Sequence, residues 1–230
     1  MFFTEIIASK NQELTLSEDV SKHIIQVLRM QKEEQLLLTD GKGNLLTAVI
    51  VDDNKKKCIV RITEASFTPA PARDITIVIS LLKNASRFEW FLEKATELGI
   101  NRIIPIICDR TERQYFRFDR MKGIITSALL QSQQVWLPEL QVPQDLAETL
   151  VGFSQQQKFI AHCLDDKKIL LRDALQASAS SKLVMIGPEG DFTKEEIEKA
   201  LHYKFIAVSL GNNRLRTETA GVVAAVLMTA

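Results

Sequence analysis

From residue 74 onward the sequence alternates short apolar runs with segments of helical spacing, and this alternation limits the fold more than any other feature. The apolar runs are ITIVISL, RIIPIIC, KFIAHCL, KLVMIGP and FIAVSLG. The helical segments are SRFEWFLEKATELG, FDRMKGIITSALLQSQ, ILLRDALQAS, KEEIEKALHY and TETAGVVAAVLMT. Strands separated by helices pair side by side in a largely parallel sheet, with helices covering both faces. In such sheets ligands bind outside the carboxyl ends of the strands. Chemistry is therefore expected in the loops that follow strands.

The first 67 residues have a different texture. FFTEII, QLLLTD, NLLTAVIVDD and KKCIVRIT read as short strands, TDGKGN as a glycine-rich hairpin turn, and DDNKKK as a polar turn. One segment, SEDVSKHIIQVLRM, has helical spacing with Val20, Ile24, Val27 and Leu28 on its apolar face. SFTPAPARD, with Pro69 and Pro71, reads as a linker. The expected organisation is a small β-rich domain over residues 1–72 and an α/β domain over residues 73–230.

Several function classes drop out. Lys+Arg and Asp+Glu are both 29, so no global field advertises a polyanion or membrane partner. The N-terminus has an early acid and no sustained apolar region, unlike a signal peptide. The longest apolar runs fall short of the roughly 20 residues a membrane span needs. Cys58, Cys108 and Cys163 are scattered and read as small buried hydrophobes in a reduced compartment, which makes the cytoplasm the expected location. His23, His162 and His202 lack metal-ligand spacing, and no P-loop, dinucleotide fingerprint or nucleophile elbow is present. The site is expected to work without a metal.

Two strand-to-helix turns carry the strongest local signal. In KLVMIGPEGDFTKEEIEKAL, Gly187-Pro188 ends a buried strand, Gly190 frees the backbone, and Thr193 with Glu196 has capping-box spacing. In AVSLGNNRLRTETAGVV, Gly211 ends a strand, Thr217 suits a helix N-cap, and Glu218 falls in the first turn. Two polar loops at strand carboxyl ends suggest one shared pocket. Arg216 and Glu218 also suit a structural ion pair.

A third segment, NRIIPIICDRTERQYFRFDRMK, carries six basic residues against three acidic ones from Arg102 to Lys122. Tyr115, Phe116 and Phe118 interleave with its arginines, a pattern that serves phosphates and unstacked bases as well as an ordinary solvated loop. Glu89, Glu93 and Glu97 repeat at helical spacing and read as a solvent-facing stripe.

FLEKATELGINRIIPIICDRTER, IGPEGDFTKEEIE and SLGNNRLRTETA together resemble the RsmE family of the SPOUT superfamily, RNA methyltransferases acting on N3 of a uridine in 16S ribosomal RNA. The likeness extends to HIIQVLRM and TDGKGN in the first domain. It implies an N-terminal PUA-like RNA-binding barrel and a C-terminal α/β domain tied in a trefoil knot. It further implies a homodimer that uses S-adenosylmethionine and acts on 16S ribosomal RNA or the small subunit, with no membrane partner.

The resemblance places the cofactor loops at Ile186, Gly187, Pro188, Glu189 and Gly190; at Ser209, Leu210 and Gly211; and at Leu215, Arg216, Thr217, Thr219 and Ala220. Arg216 is then the candidate for stabilising developing charge or gripping a phosphate, and Glu218 for taking a proton or capping a helix. Arg29, Arg110, Arg113 and Arg117 are the candidate RNA contacts. The chain departs from the family pattern at Asp191, where a second glycine is frequent, and at Leu130 and Gln134, where an acid and an arginine are usual. The rival readings are a 2′-O-ribose RNA methyltransferase and a non-catalytic RNA-binding assembly factor.

Residues 1–72 hold nine basic side chains against ten acidic ones, so that domain has no bulk charge with which to hold RNA. Binding measured across a salt series is expected to release only about two to five counterions. A steep slope would show a phosphate-dominated interface instead.

Overall fold

The structure, a computed structural model, describes residues 1–6, 9–112 and 114–230; Arg113, one of the four candidate RNA contacts, lies outside the described residues. The chain forms two compact units, residues 1–70 with 129–137 and residues 71–128 with 138–230.

The first unit contains β1 (Phe2–Phe3), β2 (Glu13–Thr15), α1 (Glu18–Lys22), β3 (Gln35–Thr39), β4 (Asn44–Asp52) and β5 (Ile59–Phe67). Its sheet order is β1-β3-β4-β5-β2, antiparallel except for the β1–β3 pair. Alternation along β4 sends Leu46, Ala48 and Ile50 into a core shared with Leu36, Leu38, Val60 and Ile62. The Ser21 hydroxyl, buried, accepts from the Cys58 amide and donates to the Leu16 carbonyl, which ties α1 to the sheet.

The helical segment does not run as its spacing suggests. After α1, His23–Val27 widens into a π-helical turn, and Val27 and Leu28 are 66% and 51% exposed although their spacing placed them on the buried face. The wider turn carries them round the helix axis, away from Ile24, which is fully buried.

The hairpin turn forms as expected. The Asp40 carboxylate accepts from the Lys42 and Asn44 amides and from the Asn44 side chain. Gly43 is required there: its φ is +94°, and a Cβ would fall 2.6 Å from the Trp136 ring. Residues 129–137 belong to this unit through such contacts, including Trp136 Nε1 donating to the Thr68 carbonyl at 2.9 Å.

In the second unit come β6 (Asp74–Ser80), α2 (Ala85–Glu97), β7 (Arg102–Ile107), α3 (Phe118–Gln131), β8 (Glu139–Leu140), β9 (Gln144–Asp145) and α4 (Leu146–Thr149). These are followed by β10 (Gln157–Ala161), β11 (Ile169–Leu170), α5 (Leu171–Ala174), β12 (Ser181–Ile186), α6 (Lys194–His202), β13 (Ile206–Ser209) and α7 (Thr217–Thr229). The sheet runs β11-β13-β10-β12-β6-β7-β8, with β9 also on β7, and every pairing is parallel. ILLRDALQAS yields only a two-residue strand and a single helical turn.

Both faces of the sheet are covered. Val78, Ile104, Ile160, Leu183 and Met185 pack with Phe192, Ile197 and Ala200 on one side. On the other, α7 lies against α2 and β6, and Gly221 allows the approach: a Cβ there would sit 2.7 Å from the Phe91 ring and 3.1 Å from Ile79 Cδ1. Cys58 and Cys108 are buried as expected, but Cys163 is exposed, because it lies just past the end of β10 in a loop.

The Gly221 contact is testable by urea unfolding. Gly221→Val should lower the unfolding free energy by about 2 kcal/mol or more, since both neighbours are buried and cannot yield cheaply. An unchanged midpoint would show that Phe91 does not constrain this helix pair.

Candidate functional site

The cleft is a product of parallel register. Ala161 at the end of β10 pairs with Ile186 at the end of β12 and with Val208 near the end of β13, so three strands finish level. The loops they emit face one another across two adjoining lobes of about 280 and 450 Å³. That is a size suited to a cofactor-like ligand, whose pockets span roughly 300–1,000 Å³.

The lobes share Ala161, Cys163, Ile186, Arg214, Leu215 and Ala220. One is completed by Gly187, Pro188, Glu189, Gly190, Arg216 and Thr217, the other by Ser209, Leu210 and Gly211. Thr219, expected beside them, is not among the lining residues. The loop after β10 adds His162 and Lys168. This third wall carries no glycine or turn motif, and only its place after a strand pointed to it.

The turn after β12 holds its shape for reasons other than those the sequence suggested. Gly187 is required by packing, since a Cβ would press to 3.0 Å on the fully buried Phe192 ring. A Cβ on Gly190 would meet only the Arg110 side chain, at an ordinary 3.4 Å. The left-handed residue is instead Asp191, with φ +63°. Aspartate is among the few side chains that tolerate this region. Its Oδ2 accepts from the Cys163 amide at 2.7 Å and its Oδ1 from the Phe192 amide at 2.9 Å. The residue in the family's second-glycine position thus ties the β12 loop to the β10 loop.

The capping box forms as expected, with Thr193 and Glu196 each bonded to the other's amide. Glu196 Oε1 also accepts from the Asp109 amide at 2.9 Å. Glu189 Oε1 accepts from the Lys83 amide at 3.2 Å, and Arg110 Nη1 donates to the Gly190 carbonyl at 2.8 Å.

In the β13 loop, the Ser209 hydroxyl donates to the Gly211 carbonyl at 2.8 Å, and Gly211 adopts φ +149°. The N-cap of α7 is Arg216, not Thr217, and its side chain makes no capping bond. The amides of the first turn therefore open at the cleft without a side-chain cap, ready for an acceptor atom of a ligand.

Arg216 is exposed at the cleft, whereas Glu218 is buried and paired with Arg87 of α2, Oε1 to Nε at 3.6 Å. Neither ring nitrogen of the buried His162 has a partner among the described residues. Burial, helped by the Lys168 ammonium, pushes its pKa below the usual histidine value.

The basic segment is more committed than its composition suggests. Arg120 binds Glu89 through two bonds of 2.5 and 2.9 Å, which holds the Glu89 carboxyl below its usual range. Glu89 is consequently only 17% exposed, not part of a solvent-facing stripe. Phe116 packs edge-on against Phe88 and tilted on Phe118, leaving Tyr115 as the exposed ring at 67%. Arg117 is exposed, and in the first unit Arg29 is exposed with φ +57°.

Two family models match the chain, an RNA methyltransferase domain over residues 68–229 and an RNA methyltransferase PUA domain over residues 16–63. The ribosomal RNA small subunit methyltransferase E of Rickettsia conorii is 27% identical over 218 residues, spanning 94% of this chain and 89% of the relative. Its counterpart in Aquifex aeolicus is 28% identical over 213 residues, spanning 91% and 90%. A probable rRNA-methyltransferase from Porphyromonas gingivalis superimposes with a TM-score of 0.89 at 34% identity, covering 97% of this chain and 94% of that one. A ribosomal RNA small subunit methyltransferase E from Neisseria gonorrhoeae, bound to S-adenosyl methionine, gives 0.89 at 29% identity, covering 99% and 95%.

Asp191 supplies the test of this geometry. Asp191→Ala keeps the left-handed demand and loses both bonds, so thermal or urea unfolding should show a loss of about 2–3 kcal/mol. Asp191→Gly relieves the backbone and should cost about 1 kcal/mol less. Equal losses would mean that φ at this position carries no strain.

Proposed function

The chain belongs to the RNA methyltransferase family represented by small-subunit rRNA methyltransferase E, and on that premise we propose that it transfers the methyl group of S-adenosylmethionine to N3 of a uridine in 16S ribosomal RNA. The observation that carries the reading is the single cleft lined by all three loops at the level carboxyl ends of β10, β12 and β13.

The cleft suits the cofactor. Ile186, Leu210, Leu215 and Ala220 offer an apolar bed for a flat base, while the uncapped first turn of α7 and the His162 ring, unpartnered among the described residues, offer polar contacts. When bound, the cofactor supplies an electrophilic methyl group on a sulfonium. The remaining tasks fall to the protein: to hold uridine N3 in line, to favour loss of its proton, and to stabilise charge spreading to O2 and O4. Arg216, charged and exposed at the cleft, is the candidate for contact with that charge; Glu218, the candidate for taking the proton, is buried against Arg87 and lies outside the cleft lining.

The first unit is the proposed RNA-holding module, as its match to a methyltransferase PUA domain supports, with Arg29 as its contact and Arg110 and Arg117 contributing from the second. We propose a homodimer formed through the outer face of α7, where Val226 is 46% exposed. The proposed trefoil knot is supported by the path of the chain: β13 lies beyond β10, yet the helix that follows packs on β6 and β12. A cytoplasmic location follows from a ribosomal substrate, and among the described residues no helix is long and apolar enough to cross a membrane.

The test is methylation of small ribosomal subunits with labelled S-adenosylmethionine, followed by digestion to nucleosides and mass analysis. 3-Methyluridine is expected; a ribose-methylated nucleoside would favour the 2′-O reading, and no transfer with intact RNA binding would favour the assembly factor. Arg216→Ala should lower transfer about a hundredfold or more while changing cofactor affinity by less than about tenfold. Equal collapse of both, by calorimetry and transfer rate, would place Arg216 in the cofactor shell.

A further inference from the structure

Uridine N3 is protonated near neutral pH and becomes a nucleophile only as that proton leaves. We propose that Arg87 of α2 is a second cation at the reacting end, stabilising the uridine as N3 loses its proton, and that Glu218 serves by positioning Arg87. This rests on the uridine-N3 reading given above.

The placement comes from how α2 and α7 pack. Arg87 Nε lies 3.6 Å from Glu218 Oε1, and one turn further along both helices the Phe91 ring sits over Gly221. Both contacts advance in the same direction, so the helices run parallel and open their N-termini at the same end. At that end Arg216 and Thr217, which lead into Glu218, line the cleft. Across the cleft, Glu189 of the β12 loop accepts the amide of Lys83, four residues before Arg87. The segment from Lys83 to Arg87 is therefore tied at one end to Glu189, which lines the lobe that holds Arg216, and at the other to Glu218, two residues beyond Arg216.

The two partners differ in access. Glu218 has a side chain only 9% exposed, and its Oε2 is buried without a hydrogen-bond partner among the described residues. Neither residue is among those lining the cleft, and of the two only Arg87 has side-chain surface open to a ligand. Arg87 is 39% exposed and turns its Nε to Glu218, which leaves the two outer nitrogens of a permanently charged group open at the N-terminal end of α2. Uridine that has lost its N3 proton carries its charge on N3, O2 and O4, all acceptors, and a guanidinium fork matches them. Two parallel helix N-termini add partial positive charge at the same end.

The step balances without another reactant. The N3–H bond breaks and the proton leaves to solvent. The N3 pair forms the N–CH3 bond as the C–S pair returns to sulfur, so an anion and a sulfonium become two neutral products. Arg87 then faces no anion and releases the methylated base.

The experiment compares wild type, Arg87→Ala, Arg87→Lys and Glu218→Gln in single-turnover methylation from about pH 6.5 to about pH 10. The substrates are small subunits reconstituted on 16S transcripts made with uridine or with 5-fluorouridine, whose N3 is more acidic. Arg87→Ala is expected to be about a hundredfold slower at neutral pH, to recover most of the loss at high pH, and to be rescued on the fluorinated RNA. Arg87→Lys should fall between the two, and S-adenosylmethionine affinity should stay within about threefold for every variant. Glu218→Gln should recover at high pH like Arg87→Ala.

Loss by one constant factor at every pH and on both RNAs would reduce Arg87 to a structural role and overturn the proposal, as would unchanged activity. Loss in Glu218→Gln by one constant factor at every pH would limit Glu218 to a structural role and overturn its part in the proposal. Should Arg87→Ala fail to fold, Arg87→Lys alone carries the comparison. Absence of 3-methyluridine from wild-type digests would instead overturn the reading on which the proposal rests.

Discussion

The ladder from β6 through β12 and β10 to β13 is the constraint on which the cleft depends. Its last rungs are Ile79 with Ile186, Ile186 with Ala161, and Ala161 with Val208. A slip of one residue in β12 would carry its loop about 3.3 Å along the sheet and turn every side chain to the opposite face. Leu183, Val184 and Met185 are fully buried on alternating faces, so such a slip is strongly opposed. The loops are soft, but the strands that deliver them are not. Phe192 beneath Gly187 and the Asp191 carboxylate against the Cys163 amide transmit that rigidity from the strands into the walls of the cleft.

What could be read from the sequence was whatever repeats at short range. The five main strands of the second unit announce themselves as apolar runs, and the capping box of α6 by a three-residue spacing. The strands β8, β9 and β11 are two residues each and owe their existence to the edge they pair with. The segment after β10 carries no local signal, since neither AHCL nor DDKK has a turn or ligand motif; its role comes from lying at the end of a strand between β12 and β13. Asp191 was visible as a departure from glycine, but its compensation by a distant amide was not. The partnership of Arg87 with Glu218 joins residues from opposite ends of the domain, and no local pattern encodes it. The widened turn at His23–Val27 is a similar case, where a periodic apolar stripe was overridden by a change in helical pitch.

The cations of this protein show how a chain with equal numbers of basic and acidic side chains can serve a polyanionic substrate. Arg102 is held by Glu139, Arg120 by Glu89, Lys83 by Glu112 and Lys94 by Glu97. Such pairs at a surface add little to stability. Their larger effect is on the field outside, since a neutralised cation neither gathers counterions nor attracts phosphates at a distance. The attraction common to all RNA is thereby kept small, and with it the fraction of enzyme held on wrong sites. Discrimination must then come from the shape of a folded RNA and from a base unstacked into the cleft. The role proposed for Arg87 fits this arrangement: a charge that matters only once the base begins to lose a proton contributes little to the encounter and most at the transition state, where a difference in binding becomes a difference in rate.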